Sequence, residues 1–134
     1  MKLITLNTWA GRAKEPFESF LKAKSKDTDI FCFQEIFNDL DEDVPTDNYV
    51  EHTEGNRHIL REIADILTDF DVYFCPVAEN VYGIAIFLKK GFEIIASGEV
   101  TLYENPEFDP EDKNNDHDRK MQWVHIKRDR KDVI

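Results

Sequence analysis

No stretch of this sequence approaches the run of about 20 apolar residues that a membrane-spanning helix needs. The opening residues Met1-Lys2-Leu3-Ile4-Thr5-Leu6-Asn7 hold too short an apolar stretch for a secretory signal peptide, so a soluble, cytoplasmic protein is expected. Zinc and redox patterns are missing too: there is no Cys-x-x-Cys, and no pair of histidines has zinc-protease spacing. The two cysteines, Cys32 and Cys75, each lie inside an apolar run, which predicts buried free thiols rather than a disulfide or a metal site. Cys32, set among phenylalanines without an activating neighbour, is a poor candidate nucleophile. A glycine-rich phosphate loop is absent, as are internal repeats and low-complexity segments. Positive charge is scarce: 17 Lys and Arg stand against 28 Asp and Glu, a net charge of −11. Such a surface repels a polyanion unless basic side chains cluster or divalent cations intervene, which counts against a general nucleic-acid-binding surface.

Core-forming material is plentiful. Of 134 residues, 41% are hydrophobic and ten are Phe, which suits one packed domain and leaves little room for two. Residues 2–7 read as a short strand ending on polar Asn7 and Thr8. Gly11 follows in a loop. Pro16 opens a helix, where its missing N–H does no harm, and Phe17, Phe20 and Leu21 share one face of it as far as Lys24. The continuous apolar run Ile30-Phe31-Cys32-Phe33 predicts a strand covered on both faces and ending in Gln34-Glu35. Strand, helix and buried strand in that order make a βαβ unit with parallel strands. Ligands in such sheets gather at the carboxyl ends of the strands, which is the edge that Asn7 and Glu35 would share.

Residues 36–56 form an acidic loop containing Pro45, and residues 57–70 a helix, with Ile59, Leu60, Ile63, Ile66, Leu67 and Phe70 at helical spacing. Val72-Tyr73-Phe74-Cys75 is another strand. Tyr82-Gly83-Ile84-Ala85-Ile86-Phe87-Leu88 is a further one, and Lys89-Lys90-Gly91 turns it into residues 92–103 as an antiparallel hairpin. Residues 104–118, with Pro106 and Pro110, make a polar surface loop. Met121 to Lys127 alternates as a strand. After a charged turn, Val133 and Ile134 begin a return strand too short to be stable by itself, so the sequence reads as interrupted. His52 and His58 are expected in solvent and His125 on a half-buried strand face.

An amide oxygen and a carboxylate at one sheet edge form a hard, oxygen-only site of the kind Mg²⁺ favours, since that ion takes one or two protein oxygens and keeps several waters. On spacing alone the bland alternative stands: Asn7 caps a turn and Glu35 ends a strand in solvent. The wider pattern changes the balance. Leu3-Ile4-Thr5-Leu6-Asn7-Thr8-Trp9, then Asp29-Ile30-Phe31-Cys32-Phe33-Gln34-Glu35-Ile36, then Tyr82-Gly83-Ile84-Ala85-Ile86-Phe87 resemble successive motifs of the endonuclease/exonuclease/phosphatase superfamily, the DNase I-like fold. The strand Met121-Gln122-Trp123-Val124-His125-Ile126, preceded by Arg119, resembles the next element in order.

That resemblance implies an α/β fold: part of a DNase I-like two-sheet α/β sandwich, a mixed sheet with flanking helices, its second half absent. It implies a divalent-metal-dependent phosphoester hydrolase, with Asn7 and Glu35 as ligands of Mg²⁺ (or Mn²⁺) and Tyr82 as a phosphate contact. Arg119 suits phosphate by its planar guanidinium and equally suits a solvated loop. The departures matter as much. The later Asn-x-His strand, the Gly-Asp-x-Asn motif and the terminal Asp-His pair of the family do not occur here, and Asp116-His117 lie in a polar loop in the wrong order of elements. The chain is therefore expected to supply metal ligands from the N-terminal portion of the domain and to be inactive alone. The alternatives are a non-catalytic binding module and one half of a split enzyme, with self-association or a partner chain covering the exposed sheet face. The phosphoester, nucleic acid or small molecule, is not specified, though the acidic surface favours a small one.

Overall fold

The computed structural model describes residues 1–46, 49, 55–107, 118–128 and 131–134. In chain order they form β1 (Leu3–Asn7), α1 (Lys14–Lys24), β2 (Ile30–Phe37), α2 (Ile59–Ile66), β3 (Phe70–Ala78), β4 (Tyr82–Lys89), β5 (Glu93–Tyr103), β6 (Arg119–Arg128) and β7 (Lys131–Val133). A 3-10 turn, Trp9–Gly11, joins β1 to α1. The strands make two sheets, one in the order β1-β2-β4-β3 and one in the order β5-β6-β7. β1 and β2 run parallel and adjacent, as the βαβ order predicts, while every other pairing is antiparallel. The architecture is thus mixed α/β with two sheets, and no helix among the described residues is long and apolar enough to cross a membrane.

Alternation along the central strands supplies both faces of the first sheet. Phe31, Phe33, Ala85 and Phe87 point to one side, where Leu21 of α1 and Ile59, Ile63 and Leu67 near α2 complete the main core. Aromatic rings dominate it: Phe33 meets Phe31 at 5.5 Å in a stacked pair and Phe17 at 5.6 Å edge-on. The two helices are further tied by Lys14 and Glu62, 2.7 Å apart. Ile30, Ile86 and Leu88 point to the other side, where Ile126 and Val124 of β6 and Val133 of β7 form a smaller core.

Three expectations are corrected. β4 does not form a hairpin with β5, because its two flanks are taken by β2 and β3. The turn at Gly91, with φ 101°, instead carries the chain into the second sheet, where β5 pairs with β6. The second helix is shorter than its apolar period, since Leu67 leaves helical geometry and Phe70 already belongs to β3. Both side chains still face the same core, so the spacing survives the end of the helix. Finally, β2 does not end at Gln34-Glu35 but continues to Phe37 through an irregularity at those residues.

Candidate functional site

That irregularity builds the site. Register between β2 and β4 shifts between Phe33 and Ile36, and Glu35 within the shift has φ 60°. Simple alternation would place Glu35 on the face of Phe31 and Phe33, a carboxylate inside an aromatic core. A bulge with one left-handed residue re-aims the side chain to the edge and returns Ile36 and Phe37 to the core. A non-glycine residue in that conformation costs roughly 1–2 kcal/mol, and such local strain concentrates at functional positions.

The neighbouring turn holds the bulge. Asn7 sits opposite Gln34 at the carboxyl end of the parallel pair. One residue on, buried Thr8 donates its backbone N–H to the Gln34 carbonyl at 3.0 Å, and its hydroxyl lies 3.0 Å from the same oxygen and 2.8 Å from the Glu35 carbonyl. Asn7 Nδ2 donates to Glu35 Oε1 at 2.7 Å, and the Trp9 N–H donates to Asn7 Oδ1 at 2.7 Å. A backbone N–H can only donate, so the atom facing Trp9 must be the amide oxygen, and the amide nitrogen is thereby directed at Glu35. Trp9, Ala10 and Gly11 have φ of 53°, 50° and 76°, a left-handed turn that only the glycine adopts without steric cost.

Tyr82 enters from β4, opposite Phe37 on β2. Its ring packs 5.0 Å from Phe37 and 6.1 Å from Tyr49. Burial pushes the phenol far above its usual range, the Glu35 carboxylate pushes it further, and the Arg119 guanidinium pulls it back. Tyr82 thus feels both the Glu35 carboxylate and the Arg119 guanidinium, and its phenol stays neutral at physiological pH. Asn7, Glu35 and Tyr82 lie at one end of the first sheet, Asn7 and Glu35 in direct contact, while Arg119 opens β6 of the second sheet, opposite Tyr103. Sequence reasoning missed Thr8, Trp9 and Arg12, whose guanidinium lies 4.5 Å from the Trp9 ring centroid. The signal was available for Thr8, a polar residue directly after a strand that ends at the same edge.

The remaining candidates lie apart from this constellation. Half-exposed His58 places Nδ1 2.7 Å from Asp39, which also pairs with Arg61 at 3.2 Å, so it clamps the acidic loop to the start of α2. His52 and Asp116-His117 lie outside the described residues. Both cysteines are free. Burial raises the Cys32 thiol. Burial, together with a 3.1 Å hydrogen bond to Glu99 Oε2, pushes Cys75 up to about 11. Cys75 is buried as expected, whereas Cys32 is only half-buried.

Among the described residues no group of three or more His, Cys, Asp or Glu is placed to share one metal ion. The donor set at the edge is one carboxylate and one amide, all oxygen, with Asn7 already engaged through both of its polar atoms. By its chemistry that set would suit Mg²⁺ or Mn²⁺ carrying most of its own waters, and Glu35 would then be the direct ligand with Asn7 as its support. Compared with protein-family models, curated proteins and solved structures, the chain matches none.

Proposed function

We propose that this chain is the N-terminal portion of a DNase I-like, divalent-metal-dependent phosphoester hydrolase, with Glu35 and Asn7 serving the metal and Tyr82 and Arg119 the substrate phosphate. The observation that carries this reading is the left-handed bulge that takes Glu35 out of the aromatic core and leaves it hydrogen-bonded to an amide of fixed orientation. The bound cation would act as a Lewis acid on a phosphoryl oxygen. Asn7 keeps one carboxylate oxygen in place, so the ligand is oriented in advance rather than on binding. The neutral Tyr82 phenol donates a hydrogen bond, and Arg119 offsets charge that grows on the phosphate. The mixed sheet with helices on one face and a second sheet on the other is consistent with such a sandwich. The sequence contains no Gly-Asp-x-Asn motif to orient the attacking water, so hydrolysis requires groups from a further polypeptide segment.

Calorimetric titration with Mn²⁺, run beside hydrolysis of bis(p-nitrophenyl) phosphate, tests this. The chain should bind the ion weakly, lose binding in Glu35→Gln without loss of fold, and hydrolyse nothing alone. Equal binding by the parent and Glu35→Gln would defeat the assignment. A second reading, a non-catalytic module that binds a partner or itself, is favoured by the apolar trough of about 660 Å³ between the sheets, lined by Leu3, Ile30, Ile86, Met121 and Ile126 among others. Sedimentation velocity separates that reading: a dimer at micromolar concentration supports it, and a monomer that binds metal counts against it.

A further inference from the structure

The turn after Asn7 reverses the usual hydrophobic order. Ala10 is 1% exposed and Gly11 is buried, while Trp9 is 58% exposed. The glycine is needed there, because a Cβ on it would stand 2.8 Å from Asn56 Cβ and 2.8 Å from Ile59 Cδ1. Gly11 is pressed against Ile59 of α2 and Ala10 lies in the main core while Trp9 is turned out, and the turn accepts two strained non-glycine residues to do it. Arg12 lies over the indole, which stiffens the platform through a cation–π contact. The backbone of Trp9 is fixed relative to Glu35 by two consecutive 2.7 Å hydrogen bonds through Asn7. An exposed, rigid, aromatic surface is therefore tethered to the edge that carries the carboxylate.

We propose that Trp9 is a stacking surface for an aromatic base, so that the phosphoester taken at Glu35 is a nucleotide rather than a sugar or lipid phosphate. This rests on the metal–phosphate reading of Glu35 given above. Net charge argues in the same direction. A chain at −11 gains little from neutralising phosphates with a basic surface, so stacking and a bridging cation are the available sources of nucleotide affinity. A lipid phosphate offers no planar face to the indole, and a sugar phosphate only weaker C–H contacts.

Binding of AMP and of ribose 5-phosphate, each with Mn²⁺, distinguishes the two by calorimetry, and a Trp123→Phe chain makes Trp9 the single tryptophan. AMP should quench Trp9 saturably and bind on the order of tenfold more tightly than ribose 5-phosphate. Trp9→Ala should remove that advantage, Trp9→Phe should retain most of it, and Glu35→Gln should weaken both ligands alike. Several results would overturn the proposal: equal affinities for the two ligands, no binding of AMP at millimolar concentration, AMP binding unchanged in Trp9→Ala, or a Trp9 emission already shielded from acrylamide. Its failure is separable from failure at Glu35. If Trp9→Ala loses AMP while Glu35→Gln does not, stacking stands and the metal reading falls. If Glu35→Gln loses AMP while Trp9→Ala does not, the metal reading stands and stacking falls.

Discussion

The two faces of the first sheet are made by the same alternating strands yet are covered in different ways. On the helix side, Phe31, Phe33 and Phe87 are fully enclosed by α1, α2 and their own neighbours. On the other side, the second sheet meets the first through a smaller core centred on Ile30, Leu88 and Ile126, with an apolar trough beside it. β5 carries the contrast furthest: Ile95, Val100, Leu102 and Tyr103 are all exposed, Leu102 by 66%. Interlocking aromatic rings fill space on one side, and a few aliphatic contacts with two polar links, Gln122 to the Tyr73 carbonyl at 3.0 Å and Cys75 to Glu99, hold the other. Stability is therefore concentrated in the helix-covered layer, and the second sheet is the part most able to open by itself.

The largest effect should come from Phe33→Ala, which removes a ring at the centre of the aromatic cluster and should cost about 3–5 kcal/mol in urea unfolding. Ile86→Ala on the trough side, at a half-buried position, should cost clearly less. Equal losses would break the comparison. Glycine substitutions sharpen it at intermediate size. A Cβ on Gly83 would stand 2.1 Å from the Cys75 carbonyl oxygen, backbone that cannot step aside, and Gly83→Ala should cost about 1–3 kcal/mol. A Cβ on Gly98 would meet the Trp123 ring at 2.9 Å, a side chain in a loosely covered sheet, and Gly98→Ala should shift the urea midpoint less.

Acid should weaken both layers with the same sign. Burial alone would raise Glu62, yet hydrogen bonds from Lys14 and Asn56 outweigh it and hold the carboxyl below its ordinary 4.5. Hydrogen bonds from Cys75 and Lys120 hold Glu99 below 4.5 as well. A carboxyl depressed in the folded state contributes stability above its unfolded value and loses it as pH falls through the folded one. Stability should thus decline below about pH 4.5, and Glu62→Gln and Glu99→Gln should each flatten part of that acid limb. The gentlest test changes no residue. At pH 8 only about one Cys75 thiol in a thousand is ionised, given its value of about 11, so alkylation should be slow. If the second sheet opens on its own, labelling of Cys75 should proceed at urea concentrations that leave the helix layer intact by circular dichroism.

Much of the first layer was legible from the residues. The run Ile30-Phe31-Cys32-Phe33 announced a strand buried on both faces, and its order after a strand and a helix announced parallel pairing with Asn7 and Glu35 at one edge. The bulge was not legible, because Glu35 adopts a left-handed conformation without the glycine that usually marks one. The mistaken β4–β5 hairpin has a similar origin. Two apolar runs joined by Lys89-Lys90-Gly91 look like partners, and only the competition of β2 and β3 for the flanks of β4 decides otherwise. Trp9 escaped notice since a lone aromatic after a strand carries no period, and its exposure depends on where α2 sits.

The hydrogen bonds that orient Glu35 join residues 28, 27 and 26 positions apart. All of them fall within the first 37 residues, inside one strand–helix–strand unit. During synthesis this stretch is made before β3 to β7. The instructions for the site are thus delivered first, while the strand that encloses β2 and the helix that seals the aromatic layer arrive later. Specification and stabilisation of the same carboxylate are separated in time along the chain, and a nascent chain halted near residue 60 would carry the first without the second.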